Sequence, residues 1–331
     1  MTCRLPRLLF AVTGAALLAF SSAPAPAADA AFEWKDNPEK GVCNLYYGDQ
    51  PVLQYFYTVD ESTDEAAFDT AKVFHHVYGP GSDDLITKGP GGKFPHHRGM
   101  YVGWNKTTFD GRTEDFWHCR KGERLRHVRF EELEAGDKSA TMTAVISWND
   151  SDGKPVIEEH RTVEVRKLPV DAQPGYGWQI DWSTTLHSKR GKITLKGDRQ
   201  HAGFQYRAAQ YVAEANNATY VRPEGHPQQP APYQVDDRKE PNKHVDLGWL
   251  AMTYELNGKR YTIEYMESPE TPSPSRYSER PYGRFGAFFE AEITEDEPLE
   301  MTYRVNVVPG PTPSQATIQN RYEAFTHSLE G

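Results

Sequence analysis

The stretch 94–118 concentrates side chains suited to proton, metal and anion chemistry. Its centre is Phe94-Pro95-His96-His97-Arg98-Gly99-Met100, and Glu114-Asp115-Phe116-Trp117-His118 follows after the turn Asp110-Gly111. Imidazole titrates near neutral pH and ligates metals, while guanidinium makes forked contacts with carboxylate or phosphate. Of the 12 histidines in the chain, His96, His97 and His118 fall in this stretch. That density favours a site over the plainer alternative, a turn whose imidazoles cap backbone groups and whose arginine pairs with a surface acid. His97, Arg98, Asp115 and His118 are candidates for catalysis, and His96, Trp104 and Trp117 for holding a substrate. Gly99 reads as a conformational need rather than a contact.

A second candidate is Gly197-Asp198-Arg199-Gln200-His201-Ala202-Gly203-Phe204-Gln205-Tyr206-Arg207. If this segment is extended, His201, Gly203, Gln205 and Arg207 share one face and Ala202, Phe204 and Tyr206 the other. His201 is then a further catalytic candidate, with Gln205 and Arg207 as binding groups. A salt-bridged exterior explains the pattern equally well. Asp181, between Trp178 and Trp182, is a third catalytic candidate, because an acid beside aromatics can have a raised pKa. Strict alternation turns it away from both indoles. Glu158-Glu159-His160-Arg161 offers acid and base groups, which alternating charge on an exposed strand explains equally well, and core packing is the simpler role for each single tryptophan.

No GxSxG elbow, HExxH helix, Walker loop or dinucleotide-binding glycine pattern is present. Adjacent residues on an extended chain point apart, so at most one of His96 and His97 is an easy ligand. No metal ligands are assigned on this basis, although His96, His97, His118 and His201 keep a metal site open as an alternative. No cofactor follows from the sequence.

Short β-like runs separated by turn formers must position these groups. Runs at 42–47, 52–59, 72–78, 100–104, 125–133, 139–148, 156–165, 178–187, 201–209, 250–256, 260–267, 285–293 and 299–308 read as strands. In 178–187 the alternation puts Trp178, Ile180, Trp182, Thr184 and Leu186 on one face, the mark of an antiparallel sheet wet on the other. Asn257-Gly258 predicts a tight hairpin. The stretches 216–241 and 268–283 read as irregular surface excursions, and 61–69 as a polar connection. Thr312-Pro313-Ser314-Gln315 predicts an N-cap for a terminal helix over 312–329, whose apolar stripe is Ile318, Tyr322, Phe325 and Leu329. The expected fold is all-β: a large antiparallel β-sandwich, supersandwich-like if its sheets curve, with a C-terminal helix.

Arg4 and Arg7 ahead of the apolar run 8–20, with Ala28-Asp29-Ala30 closing it, predict a secretory signal peptide over 1–30. Cleavage after Ala27 is the other choice. The expected organisation is that signal followed by one domain over 31–331, soluble and periplasmic or secreted, with no later membrane span. A formal charge of −10 argues against nucleic acid as a partner. Cys43 and Cys119 remain after the leader, and an exported compartment permits a disulfide whose formation the sequence leaves open.

The segments 73–80, Pro95-His96-His97-Arg98-Gly99 with Trp104, Asp115-Phe116-Trp117, 200–207 and Tyr282-Gly283-Arg284-Phe285-Gly286 resemble the PmoA-like family, a domain of unknown function in exported planctomycete-type proteins. That family's label refers to a membrane methane oxygenase subunit. This chain, with no span after the leader and no copper cage, does not fit that activity. The resemblance implies a β-sandwich and a carbohydrate-utilisation setting, without catalytic roles. The leading expectation is an exported carbohydrate-active enzyme, a glycoside hydrolase or lyase acting on a glycan or modified sugar through a His/Arg/carboxylate cleft. A hydrolase would use Asp115 or Asp181 as proton donor. A lyase would use His97 or His201 as base, with Arg98 or Arg207 on a carboxylate. A non-catalytic glycan-binding module and a metal-dependent enzyme with His ligands are the alternatives.

Overall fold

The computed structural model describes residues 30–226 and 244–330, together with Met1. The expected leader therefore lies almost wholly outside the described residues, as does 227–241 of the first excursion. In chain order the described elements begin with β1 (Phe32–Asn37), β2 (Val42–Tyr47), β3 (Gln50–Phe56), α1 (Asp64–Asp69), β4 (Phe74–Val77), β5 (Met100–Trp104), β6 (Lys106–Phe109) and β7 (Arg112–Glu114). Long strands follow: β8 (Arg124–Ala135), β9 (Ser139–Asn149), β10 (Pro155–Pro169) and β11 (Tyr176–Ser188), then β12 (Ile193–Lys196), β13 (Ala202–Arg207) and α2 (Gln210–Ala215). The chain ends with β14 (Thr219–Val221), β15 (Trp249–Leu256), β16 (Lys259–Glu267), β17 (Arg276–Arg280), β18 (Arg284–Phe288), β19 (Ala291–Ile293), β20 (Leu299–Pro309) and α3 (Gln315–Ser328).

Two eight-stranded antiparallel sheets face each other. The first has the order β1-β2-β3-β4-β5-β13-β18-β17 and the second β14-β15-β16-β20-β11-β10-β9-β8, with β19-β12-β6-β7 forming a small third sheet. The expected antiparallel sandwich with a terminal helix is what the chain adopts. Inward residues alternate along each long strand, so Trp178, Ile180, Trp182 and Leu186 of β11 meet Val102, Phe204 and Tyr206 of the first sheet in one buried cluster. Phe204 lies 4.7 Å, ring to ring, from both Trp182 and Tyr303. Burial of such side chains, about 1.5–3 kcal/mol each, is the main force holding the sheets together.

Asn257 and Gly258 both take positive φ, 52° and 74°, between paired Leu256 and Lys259. These are the angles a two-residue hairpin needs. The terminal helix is shorter than the expected 312–329: its cap is Ser314, whose hydroxyl accepts from Thr317 N at 3.1 Å. Ile318 and Phe325 pack with Trp249, Ala251 and Met266, so α3 covers the outer face of β15 and β16, while Leu329 is exposed. The connection at 61–69 holds α1, capped by Thr63, and the Pro-rich 268–283 holds the buried strand β17. Glu159 and Arg161 also differ from their exposed reading. Both point inward, fully buried, as an ion pair at 2.7 Å. Cys43 and Cys119 are free, buried thiols.

Among the described residues no helix is long and apolar enough to cross a membrane.

Candidate functional site

Each site histidine sits just outside a strand, on one of three loops. The loop 94–99 leads into β5, 115–119 follows β7, and 198–201 leads into β13. Strands β5 and β13 pair with Met100 opposite Tyr206 and Trp104 opposite Ala202, so the chain enters them at opposite ends. The 94–99 loop nevertheless brings His96 to 5.7 Å from His201, centroid to centroid. Two glycines allow the close packing. A Cβ on Gly99 would lie 2.2 Å from His75 O, and one on Gly103 would lie 2.8 Å from Phe116 O. Gly99 thus meets a steric need, and Gly103 lets the 115–119 loop rest on the sheet.

His96, His118 and His201 converge. One nitrogen from each imidazole falls within 4.8 Å of the other two. Nδ1 of His118 donates to Asp115 Oδ2 at 2.8 Å, and Nδ1 of His201 donates to Asp198 Oδ2 at 3.0 Å. Each bond fixes the tautomer that leaves the Nε2 lone pair available, as second-sphere carboxylates do in metal centres. His96 Nε2 is buried and has no hydrogen-bond partner among the described residues. This donor set fits a divalent transition metal with open positions for water or substrate. The sequence assigns no metal ligands, because His96 and His97 point apart. It leaves a His-based site open with at most one of the adjacent pair as a ligand, and His96 alone of that pair joins His118 and His201 in the cluster.

Electrostatics keep these groups ready to bind a cation. Burial, then Lys72, His118 and Arg207, push the His96 pKa down to about 2, so its ring is neutral. Burial lowers the His201 pKa against the opposing pull of Asp198. For Asp115 and Asp198 burial alone would raise the pKa, but the hydrogen bonds they accept, foremost from His118 and His201, outweigh it and hold both carboxylates below the usual range. Asp115 is therefore an ionised orienting group here rather than a proton donor.

Three buried cations lie under the cluster, and each holds one loop by a backbone carbonyl. Arg98 donates to Pro95 O at 2.7 Å and His97 O at 2.8 Å, flanking His96. Lys72 donates to Trp117 O, next to His118, and burial drops its pKa to about 7. Arg207 donates to Gln200 O at 2.9 Å, next to His201. Arg98 and Arg207 are fully buried, so neither is placed to hold a substrate carboxylate.

The remaining sequence candidates fall elsewhere. His97 is buried beside Phe94 and Tyr282 at ring distances of 4.9 and 6.1 Å, and does not join the cluster. Trp104 is core, its indole donating to Phe289 O at 3.2 Å. Trp117 is buried between the Tyr101 ring and the Arg207 guanidinium, and Gln205 is buried on Ala202 O at 2.8 Å. Asp181 is a correction: it lies on the outer face of the second sheet, bonded by Arg304 at 2.5 and 3.0 Å. Alternation turned it outward, away from its flanking indoles. Lys72 and Asp198 were not assigned from the sequence. Asp198 carried a readable signal, since Asp115-x-x-His118 and Asp198-x-x-His201 share one spacing.

A pocket of about 490 Å³ opens beside the cluster, lined by Asp198, Gln200, His201, Arg276, Phe288 and Glu290 among others. His201 and Asp198 belong to both.

A family model matches residues 43–323, and its description is a family of unknown function, DUF6807. The chain belongs to that family. The match replaces the PmoA-like resemblance, which is corrected accordingly. No curated protein matches the sequence. Similar solved structures include the galactosidase domain of an alpha-galactosidase-sucrose kinase, at 10% identity and TM-score 0.41 over 84% of this chain and 42% of that one. A GH36 alpha-galactosidase from Geobacillus stearothermophilus matches at 9% identity and TM-score 0.36, over 85% and 41%. A GalM/aldose epimerase homologue from C. elegans matches at 12% identity and TM-score 0.30, over 85% and 99%. This chain spans about two fifths of the length of the first two. Similarities this slight do not tell what this DUF6807 chain does.

Proposed function

We propose that this DUF6807 protein is a metal-dependent enzyme acting on a hydroxyl-rich small molecule of the carbohydrate class. The observation that carries the reading is the convergence of His96, His118 and His201 within 4.8 Å. Two of those rings are oriented by carboxylates and the third has an unpartnered Nε2. A divalent ion held there would polarise a hydroxyl or carbonyl oxygen, or lower the pKa of a bound water. Asp115 and Asp198 orient the ligands, and Lys72, Arg98 and Arg207 fix the loops that carry them. The adjoining pocket, with Gln200, Arg276 and Glu290 against the ring of Phe288, supports a polar ligand with an apolar face. Export through the 1–30 leader belongs to the same proposal, and sequencing the amino terminus of exported material checks it against an intact Met1.

The test is metal analysis of purified protein, stripped and then reloaded with Zn²⁺, Mn²⁺ or Fe²⁺. About one ion per chain is expected, lost in His118→Ala, with turnover on a carbohydrate panel following the ion content. A wild-type protein that takes up none of these ions at micromolar concentration overturns the metal reading.

A further inference from the structure

The pocket beside the imidazole cluster has a charge character that narrows its ligand. Arg276 stands at the start of β17 and lines the pocket. Among the described residues its guanidinium makes a single hydrogen bond, a long one of 3.4 Å from Nη1 to Pro274 O. It has no carboxylate partner among the described residues. A fork left open on the wall of a pocket is the group that recognises a planar carboxylate by two parallel bonds. The acids of the same pocket are already engaged: Asp198 accepts from His201, Asn105 and Gln200 N, and Glu290 lies 3.7 Å from Lys196.

The ground beneath points the same way. Lys72 is buried with Trp117 O and Tyr101 Oη as its hydrogen-bond acceptors, and Arg207 with Gln200 O, Gln205 Oε1 and Tyr206 O. Neither has a carboxylate partner among the described residues. The buried Arg207 charge, held by carbonyls and an amide oxygen, acts through a low-dielectric interior on a ligand in the pocket that Gln200 and His201 line. Phe288 adds an apolar wall, which suits the face of a sugar ring.

We propose that the pocket binds a carboxylate-bearing sugar, of the uronic-acid class, in preference to its neutral counterpart, with the carboxylate on Arg276 and the ring against Phe288. The substrate end nearest His201 then faces the metal site. This deepens the reading above by naming its substrate class, and it rests on that reading only for the role of the ion.

Glucuronate and glucose differ at C6 alone and are the probes. Titration calorimetry on metal-loaded and metal-stripped protein should show glucuronate or galacturonate binding at least about tenfold tighter than glucose or galactose, weakening as salt rises. Arg276→Met, a change at a partly exposed position, should erase that preference while leaving the metal content intact. Equal binding of acid and neutral sugar, an unchanged preference in Arg276→Met, or no measurable binding of either uronate each overturns the proposal. Metal content is read separately. A protein that holds no ion yet prefers the uronate keeps this inference and refutes the metal centre, and the reverse result does the opposite.

Discussion

The outer faces of the two large sheets carry the same residue types to different ends. On the second sheet, Arg304 and Asp181 bond at 2.5 Å, Arg166 and Glu164 at 2.6 Å, and Lys189 and Glu158 at 2.9 Å, all open to water to some degree. Each of these three cations has an acid beside it. On the first sheet, loops cover β4, β5 and β13, whose residues are buried on both faces. Beneath those loops Lys72 and Arg207 bond to carbonyls instead of acids, and the three imidazoles gather above them. Charges in water find partners cheaply and their pairs are worth little, about 0–1 kcal/mol. Charges under a cover are costly, so a fold that retains them commits them to position and potential.

Removing a ligand from the covered face should have the largest effect. His118→Ala or His201→Ala is expected to weaken metal binding by more than about 100-fold, beyond the range of outer-sphere changes. Competition with a chelator measures this, and unaltered affinity would reduce the covered face to ordinary packing. The next effect is a pH dependence. Lys72 has a folded-state pKa lowered from 10.5 to about 7, so between those values the unfolded chain binds the extra proton. Stability contributed by this linkage therefore rises with pH from about 7 to about 10, by an amount on the order of 4 kcal/mol. Urea melts across that window should show the rise in the wild type and lose it in Lys72→Met. An identical pH profile in the two proteins would mean that Lys72 is not titrating as a buried cation.

How much of this contrast the sequence shows depends on the residue. Alternation in 178–187 fixes which side chains of β11 face the core, and it also turns Asp181 to solvent. The Asn257-Gly258 hairpin and the terminal apolar stripe need only local chemistry, so both are readable. The imidazoles are conspicuous by type, but the meeting of His96 and His118 with His201 is made by the β5–β13 pairing, which no local pattern encodes. Arg98 and Arg207 are misleading for the same reason. On an isolated strand a polar face looks solvated or ready for substrate, and only the loops folded over it show that it is interior. Strand β17 escapes because Pro269, Pro272, Pro274 and Pro281 mask a short run that is buried by its neighbours.

Smaller effects separate the faces further. Asp115→Asn and Asp198→Asn keep the shape but lose the charge that holds each imidazole, and should lower metal affinity by about 10–100-fold with little change in melting temperature. Calorimetric metal titration reads this, and a loss under about threefold would show that the carboxylates are not orienting ligands. The smallest effect belongs to the open face. Asp181→Asn should cost less than about 1 kcal/mol by chemical denaturation, shrink further in high salt and leave metal binding unchanged. Loss of metal binding in that variant would join two faces that the fold keeps apart.

The pairing of β5 with β13 joins segments about a hundred residues apart, and the imidazole cluster exists only once that pairing is made. Closing so long a loop is slow, because its entropy is spent before its contacts form. On the metal reading proposed above, an ion would therefore find no formed site on the unfolded chain and would not nucleate its folding. It would bind the finished sandwich and add to stability by mass action, about 2.7 kcal/mol at a hundred times its dissociation constant. An exported chain would in that case leave the cell metal-free, and the ions present where it folds would decide which one it carries.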